Sequence, residues 1–399
     1  MFNLKQKTGF IMKNLKRSQI QTTSLTIFAM LFGAGNLIFP LRLGIASGSK
    51  SIYSFLGFAL TGILLPVLGI LAIVSFSGNY KDFFGRLGKI PGFLLTLFCM
   101  LIIGPFVVMP RIITLSYEML QPFLPKMSIL PFSIIFLTLA FFAACRPGQL
   151  LTVIGKVLSP LKVASLSLIL LIGIFTGVAA QHIDISSFQL FTTGFLTGYQ
   201  TLDLLGAIFF GSIIVNLLTN YASQDKQIPI AEAVKIAGIS GLFGGLLLGL
   251  IYAGMFSLGA HHGQGFASLN EGEIFSAISF SVLGTYGAAL IGLTVFLACF
   301  TTAVSLSAVV TDFTKNSIFR AKISFVSALL IVLTITGIIS QIGLAGIIKY
   351  SFPVITTMYP LFVVITFCNI ANKLWGFKYI KIPVAITAIG MLINIFLSK

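Results

Sequence analysis

The sequence predicts an all-α integral membrane protein with about eleven transmembrane helices. Of its 399 residues, 57% are hydrophobic and only 9% are charged, whereas soluble domains average about 25% charged residues. The mean hydropathy is +1.06, and the apolar runs continue for about 20 residues or more, as membrane-spanning helices require. A β-barrel would instead alternate in polarity over segments of about 10 residues.

Apolar runs between charges and turn-forming residues divide the chain into spans. The third and tenth runs are each interrupted by prolines and a single basic residue. The run after the basic tail is too long for the apolar core of a signal peptide, so it is expected to be a retained first span. The spans are predicted at 20–41, 52–76, 91–119, 128–145, 157–180, 194–221, 233–258, 285–311, 322–341, 344–370 and 380–398.

The basic residues indicate the orientation of the chain and not a nucleic-acid partner, although the formal net charge is +16. Lys and Arg concentrate in the cytoplasmic loops of membrane proteins. With residues 1–19 as a cytoplasmic basic tail, most of the 25 Lys and Arg residues fall on the cytoplasmic side. Those predicted outside are Arg42, Lys50, Lys126 and the terminal Lys399.

The first span contains a sequence that favours a break at mid-depth, Phe32-Gly33-Ala34-Gly35-Asn36. Glycine lowers helix propensity, and a broken helix is tolerated where protein encloses the freed backbone groups. The carbonyls near Ala29–Phe32 would then suit a cation, and the free N–H groups near Ala34–Asn36 would suit a carboxylate. The alternative is a small-residue face that packs against another helix.

The sixth span is also polar at its middle, where Tyr199-Gln200-Thr201 precedes Leu202 and Asp203. An acid at this depth costs about 2.5–3.5 kcal/mol on insertion scales, so it is expected to have a role. Asp203 could bind an ammonium group or a proton. The alternative is that it caps the N–H groups of a half-helix that begins there.

The two interrupted spans begin two five-span units, residues 20–180 and 194–370, which together form a ten-helix core. An odd number of crossings inverts the second unit relative to the first, and residues 380–398 form an additional C-terminal helix. Broken helices at corresponding positions of inverted repeats indicate the midplane binding site of a secondary transporter.

Other spans carry polar or small residues of less specific meaning. Thr301 and Thr302 in the eighth span could supply hydroxyl ligands to a small cation beside the first break, or bond their own backbone. In the third span, Glu118 is expected to reach water, and Arg111 to neutralise an acid or extend to the interface. The spacing of Gly241, Gly245 and Gly249 predicts helix packing.

Motifs of enzymes and of ATP-driven pumps were not found in the sequence. It has no HExxH, P-loop or GxSxG pattern and no histidine within a predicted span. The four cysteines, Cys99, Cys145, Cys299 and Cys368, are unpaired in spacing and are expected to serve packing. The sequence therefore predicts a protein that is not an enzyme, holds no cofactor and draws its energy from an ion gradient.

Three segments resemble the bacterial branched-chain amino acid:cation symporters, the BrnQ-type (LIVCS) family. They are Phe32–Pro40, Gly198–Ala207 and Phe352–Pro360, and similarity extends along nearly the whole chain. The resemblance implies the APC superfamily and the LeuT-type fold, a five-plus-five inverted repeat with broken helices 1 and 6. Members of the family usually have twelve spans, whereas eleven are predicted in this chain.

The resemblance also implies two sets of ligands. The backbone amides of Ala34, Gly35 and Asn36 in the first break would hold the substrate carboxylate. The sixth-span break would hold the ammonium group, through Tyr199, Gln200, Thr201 and Asp203. The coupling cation would lie between the first and eighth spans, beside Ala29, Phe32, Ala298, Thr301 and Thr302.

The function implied is import of leucine, isoleucine and valine with sodium or a proton, through a multi-pass protein of the bacterial inner membrane. Phe209 and Phe210 are expected to line an apolar side-chain pocket. The alternatives are a symporter of another neutral amino acid or amine, a channel and a membrane sensor. The choice of cation, the ranking of the three substrates and the oligomeric state stay open.

Overall fold

The computed structural model describes residues 19–145, 159–220 and 230–397, and every regular element in these ranges is helical. The predicted tail lies outside the described residues except at Gln19. The first half of the described chain contains α1 (residues 19–31), α2 (Ala34–Ser47), α3 (Ser51–Ala59), α4 (Leu65–Val74), α5 (Tyr80–Gly85), α6 (Lys89–Leu101), α7 (Val108–Leu120), α8 (Ile129–Ala144) and α9 (Ser159–Thr176).

The second half begins with two helices separated by a short turn, as α1 and α2 are. It contains α10 (Ser187–Gly198), α11 (Asp203–Asn220), α12 (Ile230–His262), α13 (Glu271–Phe313), α14 (Phe325–Ser340), α15 (Leu344–Trp375) and α16 (Lys381–Leu397). Short π-helical segments continue α3 into α4 at Leu60–Leu64 and follow α6 at Ile102–Phe106. The observed helices are compatible with the predicted eleven spans.

Apolar helices of membrane-spanning length are present in the described residues. Six continuous helical stretches are long and apolar enough to cross a membrane, and the stretch Gly35–Val74 joins the end of the first predicted span to most of the second. Shorter apolar helices lie at Ile129–Ala144, Val163–Thr176, Phe325–Ser340 and Lys381–Ile393. Large apolar side chains such as Phe175 and Leu250 are exposed, whereas Asn36, Gln200 and Asp203 are buried. This inverted distribution fits a lipid exterior around a polar centre.

The eighth span is longer than predicted, because α13 begins inside the expected outer loop. The Glu273 side chain accepts the backbone N–H of Asn270 at 3.1 Å, as in a capping box, which starts the helix at Glu271. At Gly284 the backbone turns to φ 68° and ψ −173°, a conformation that glycine adopts readily. The bend separates a short outer helix, residues 271–283, from the span itself.

Glycines bring two pairs of helices into backbone contact. A Cβ atom at Gly44 of α2 would overlap the Phe256 carbonyl of α12, and one at Gly259 of α12 would overlap the Leu41 carbonyl of α2. The same reciprocal arrangement joins Gly57 of α3 to α10. Small residues allow such close approach within a membrane, where water does not drive helices together.

The predicted packing role of the glycine ladder on α12 agrees with its position. Cβ atoms at Gly241 and Gly245 would lie 3.1 Å from the Val67 side chain, and one at Gly249 would lie 3.3 Å from Ile63. The ladder therefore faces the helix that runs from α3 into α4. This contact and the α2–α12 contact place α12 against α2 and α4, beside the first break.

Replacing Gly57 by alanine is expected to destabilise the fold, because the added methyl group would overlap the carbonyl oxygen of Phe191. Overpacking of this kind costs about 1–3 kcal/mol. The melting temperature of the purified protein in detergent measures the effect. The matched control is Gly390→Ala on α16, where a Cβ meets nothing within 4 Å; an equal loss in both variants would contradict the close α3–α10 contact.

Candidate functional site

The first span is broken between α1 and α2, at Phe32 and Gly33. The N–H of Gly33 turns back to the Leu31 carbonyl at 3.0 Å, and Gly33 itself is extended, with φ −108° and ψ −166°. The carbonyls in the last turn of α1 and the N–H groups in the first turn of α2 therefore lose their helical partners. The predicted break is confirmed, and it places a carbonyl-rich end against an amide-rich end.

The sixth span is broken between α10 and α11. A 3₁₀ turn at Tyr199–Thr201 ends in Leu202, whose φ of 61° and ψ of 16° lie in the left-handed region. A leucine in this region is strained by about 1–2 kcal/mol, because its Cβ approaches the carbonyl oxygen. The strain marks a position where the chain direction is fixed by surrounding contacts, and α11 then begins at Asp203.

Asn36 joins the two breaks. Its amide nitrogen lies 2.8 Å from the Leu31 carbonyl at the end of α1 and 2.6 Å from Oδ2 of Asp203 at the start of α11. It also contacts the Tyr252 hydroxyl from α12. Its amide oxygen accepts the N–H of Gly33 at 3.3 Å. One buried side chain thus satisfies both ends of the first break and holds the acid of the second.

Tyr359 of α15 contacts the second break on both of its sides. The Tyr359 hydroxyl accepts the N–H of Leu204 at 3.2 Å, which is an unpaired donor in the first turn of α11. The Tyr359 ring stacks on Tyr199 with centroids 4.4 Å apart. Helix α15 is therefore attached to both ends of the second break.

Arg111 of α7 contacts the same break from a third side. Its guanidinium donates to the Gln200 carbonyl at 2.8 Å, to the Gln200 side-chain oxygen at 3.2 Å and to the Ser351 hydroxyl at 2.6 Å. It also lies 5.6 Å from the centroid of the Phe39 ring. Arg111 is 2% exposed, so the expected extension to the interface is wrong, and no acidic side chain of the described residues hydrogen-bonds to it.

Glu118 also differs from its prediction. It is 8% exposed rather than in water, and its carboxylate accepts the N–H of Gly272 at 3.0 Å. Gly272 lies in the first turn of α13, where free N–H groups and the helix dipole favour a negative charge. No local sequence pattern indicates this contact, because it joins residues 154 positions apart.

A cavity of about 50 Å³ lies between the two breaks. Its polar wall includes the predicted site residues Gly35, Asn36, Gln200, Thr201, Asp203 and Thr302. Arg111, which was not predicted to belong to the site, also lines it. The apolar wall includes Ile103, Val108, Phe210 and Leu306. The cavity therefore combines an acid, a guanidinium and an apolar surface.

The other predicted residues lie close to the cavity but outside its wall. In the described chain these are Ala29, Phe32, Tyr199, Ala298 and Thr301, all buried. Ala34 supplies the first residue of α2. Phe209, expected in the apolar pocket, packs instead on Tyr80 and Phe84.

The two threonines of the eighth span share one acceptor. Thr301 Oγ1 donates to the Ala298 carbonyl at 2.9 Å, and Thr302 Oγ1 donates to the same carbonyl at 3.0 Å. Both hydroxyl hydrogens are thus engaged, which leaves the oxygen lone pairs to accept a proton donor or to ligate a cation. Only Thr302 of the two reaches the cavity wall in the described structure.

A family profile described as "Branched-chain amino acid transport protein" matches residues 16–398. The chain belongs to this family. It is 32% identical to the branched-chain amino acid permease BrnQ of Bacillus subtilis over 376 residues, which are 92% of this chain and 84% of that protein. It is 29% identical to BrnQ of Salmonella typhimurium over 90% of this chain and 82% of that one. The predicted family is confirmed.

Solved structures of more distant sequences share the fold. MhsT in complex with L-phenylalanine has a TM-score of 0.58 at 17% identity and covers 94% of this chain and 98% of its own. The inward-facing conformation of Mhp1 has a TM-score of 0.62 at 12% identity and covers 88% and 76%. These likenesses confirm the predicted LeuT-type architecture, and at such low identity they concern the fold alone.

Sequence inspection missed two tyrosines of this transporter's site, Tyr252 and Tyr359. Each is fully buried and bonded to a break. A tyrosine in the middle of an apolar span is a weak signal, since its ring suits lipid and its hydroxyl finds a partner only through the tertiary fold.

Replacing Asn36 by alanine is expected to lower both stability and uptake, because it removes the amide hydrogen bonds to the Leu31 carbonyl and to the Asp203 carboxylate. A lost hydrogen bond to a charged group costs about 1.5–3 kcal/mol. Melting temperature and substrate uptake measure the two effects. The control is Asn316→Ala, which removes an exposed amide contact of 2.7 Å to Asp312; a similar loss there would contradict a special role for Asn36.

Proposed function

We propose that the protein is a secondary active transporter that imports leucine, isoleucine and valine together with sodium or a proton. The observation that carries the proposal is the meeting of two broken helices at Asn36 and Asp203, beside a cavity, in a chain of the branched-chain amino acid transport family. The printed names of its relatives support the substrate class. The bacterial inner membrane, with a cytoplasmic N-terminus, is its proposed location.

The cavity offers a separate partner to each part of an α-amino acid. Free N–H groups at the start of α2 favour the carboxylate, as at other helix N-termini. Asp203 supplies a negative charge for the ammonium group. Ile103, Val108 and Phe210 offer apolar contact to a branched side chain, which gains roughly 0.8 kcal/mol for each buried methylene.

The cation is proposed to bind where the end of α1 faces α13. Carbonyl and hydroxyl oxygens are ligands that small hard cations favour. The proposed ligands are the carbonyls of Ala29, Phe32 and Ala298 and the hydroxyls of Thr301 and Thr302. Both hydroxyls lie within 3.0 Å of the Ala298 carbonyl, which supports this assignment because the three proposed ligands from α13 are close together. A bound cation would replace the hydroxyl hydrogens as the partner of that carbonyl.

Uptake of labelled leucine into proteoliposomes tests the function. An imposed sodium gradient, an imposed proton gradient and no gradient are compared, with excess isoleucine, valine, lysine or glutamate as competitors. Accumulation is expected under one gradient, with isoleucine and valine as the effective competitors. Equal uptake with and without gradients would refute symport, and competition by lysine or glutamate would refute the substrate class.

Alanine at both Thr301 and Thr302 is expected to raise the cation concentration for half-maximal uptake by at least about tenfold, because two ligands to a charged species are lost. Initial rates of leucine uptake over a range of cation concentrations measure this. Thr294→Ala is the matched control, since its hydroxyl bonds the Leu290 carbonyl of the same helix at 2.8 Å. An unchanged cation dependence in the double variant would refute the proposed ligands.

A further inference from the structure

Arg111 is the buried positive charge of the cavity, and the fold alone does not explain why a charged side chain lies there. An arginine in a membrane helix costs at least about 2.5 kcal/mol on insertion scales, and such residues mark functional sites. Its helix, α7, continues a stretch of 35 residues, Lys89–Phe123, that is apolar enough to cross the membrane. A residue that served only to fill space here would not need a charge.

The protein compensates this charge only in part. The three acceptors of Arg111, two on Gln200 and one on Ser351, are all neutral, as is the Phe39 ring beside it. Buried charges are normally paired with an opposite charge, since neutral partners return less of the lost hydration energy. The guanidinium therefore favours an anion at this position.

The guanidinium also has donors to spare. It carries five N–H groups, and three hydrogen bonds leave two of them for another partner. One of these is on Nε, which is buried without a hydrogen-bond partner in the described structure. Because Arg111 lines the cavity, a ligand bound there can supply an acceptor.

Asp203 lines the same cavity, so the site holds fixed charges of both signs. Arg111 is bonded to Gln200, and Gln200 and Asp203 are three residues apart, which places their backbones within about 11 Å. A zwitterion has its two charges separated by a single carbon atom. An amino acid between Asp203 and Arg111 would satisfy both groups at once, and an amine without a carboxylate would satisfy only Asp203.

We propose that Arg111 binds the substrate carboxylate and so selects amino acids over amines. The assignment rests on the proposed function and adds a specificity-determining residue to the amide groups of α2. Its hydrogen bonds to Gln200 and Ser351 hold the guanidinium in place, and two N–H groups are left for the ligand. Loss of the guanidinium is then expected to weaken the binding of ligands that carry a carboxylate and to leave the binding of amines unchanged.

The test compares leucine with leucinol, which has the same side chain and ammonium group but a hydroxymethyl group in place of the carboxylate. Dissociation constants for both are measured by calorimetry on the purified wild type and on Arg111→Gln. The variant is expected to bind leucine about 10- to 100-fold more weakly, the usual range for a lost hydrogen bond to a charged group. Its affinity for leucinol is expected to change less than threefold.

A second variant and a control keep the result unambiguous. Arg111→Lys keeps the charge but loses the planar guanidinium, so it is expected to show a smaller loss for leucine with leucinol again unchanged; it replaces Arg111→Gln if that variant does not fold. Arg42→Gln is the control, because Arg42 also donates to a carbonyl, that of Ala267 at 2.6 Å, but lies outside the cavity wall among the described residues. Its ratio of affinities is expected to equal that of the wild type.

Equal weakening of both ligands in the Arg111 variants would show that the residue only holds the break, and would overturn the proposal. An unchanged affinity for leucine in the Arg111 variants would also overturn it. Absence of leucine binding in the wild type would refute the proposed function itself, which separates that failure from the failure of Arg111 alone.

Discussion

A helix that breaks at mid-membrane exposes backbone N–H and C=O groups in a place where lipid offers them no partner. Each such group costs several kcal/mol if it is left unpaired. In this protein side chains take over the lost helical bonds: Asn36 serves Leu31 and Gly33, and Tyr359 serves Leu204. The breaks are stable only because these partners stand beside them, and the packing of α12 and α15 follows from that requirement.

Asn36 is suited to this position because an amide both donates and accepts. A carboxylate there could not donate to Asp203 and would repel it, and an apolar residue would remove the hydrogen bonds to Leu31, Gly33 and Asp203. Its contact with Asp203 joins residues 167 positions apart. As a result, the carbonyl end proposed for the cation and the acid proposed for the ammonium group share one side chain, which gives a physical basis for coupling the two ligands.

The sequence was sufficient to locate both breaks and the acid, because glycine pairs and polar residues at mid-depth are local signals. It was not sufficient for their partners. The bonds of Tyr359 and Arg111 depend on how α15 and α7 pack, and the left-handed Leu202 sits where a glycine would be expected from local preference. Glu118 was misplaced for the same reason, since the helix that it caps begins inside what the sequence suggests is a loop.

The size of the cavity restricts how a substrate enters. At about 50 Å³ it is well below the roughly 150 Å³ of an engineered cavity that holds one benzene molecule, so a leucine side chain requires the walls to separate. The glycine contacts of α2 with α12 and of α3 with α10 leave no space for movement within those pairs. The joints at Phe32–Gly33 and at Leu202, by contrast, are only two residues and one residue long, and they lie outside any helix. Opening of the site is therefore expected to rotate whole glycine-packed pairs about these joints, so the contacts that stabilise the breaks also determine which parts of the protein move together.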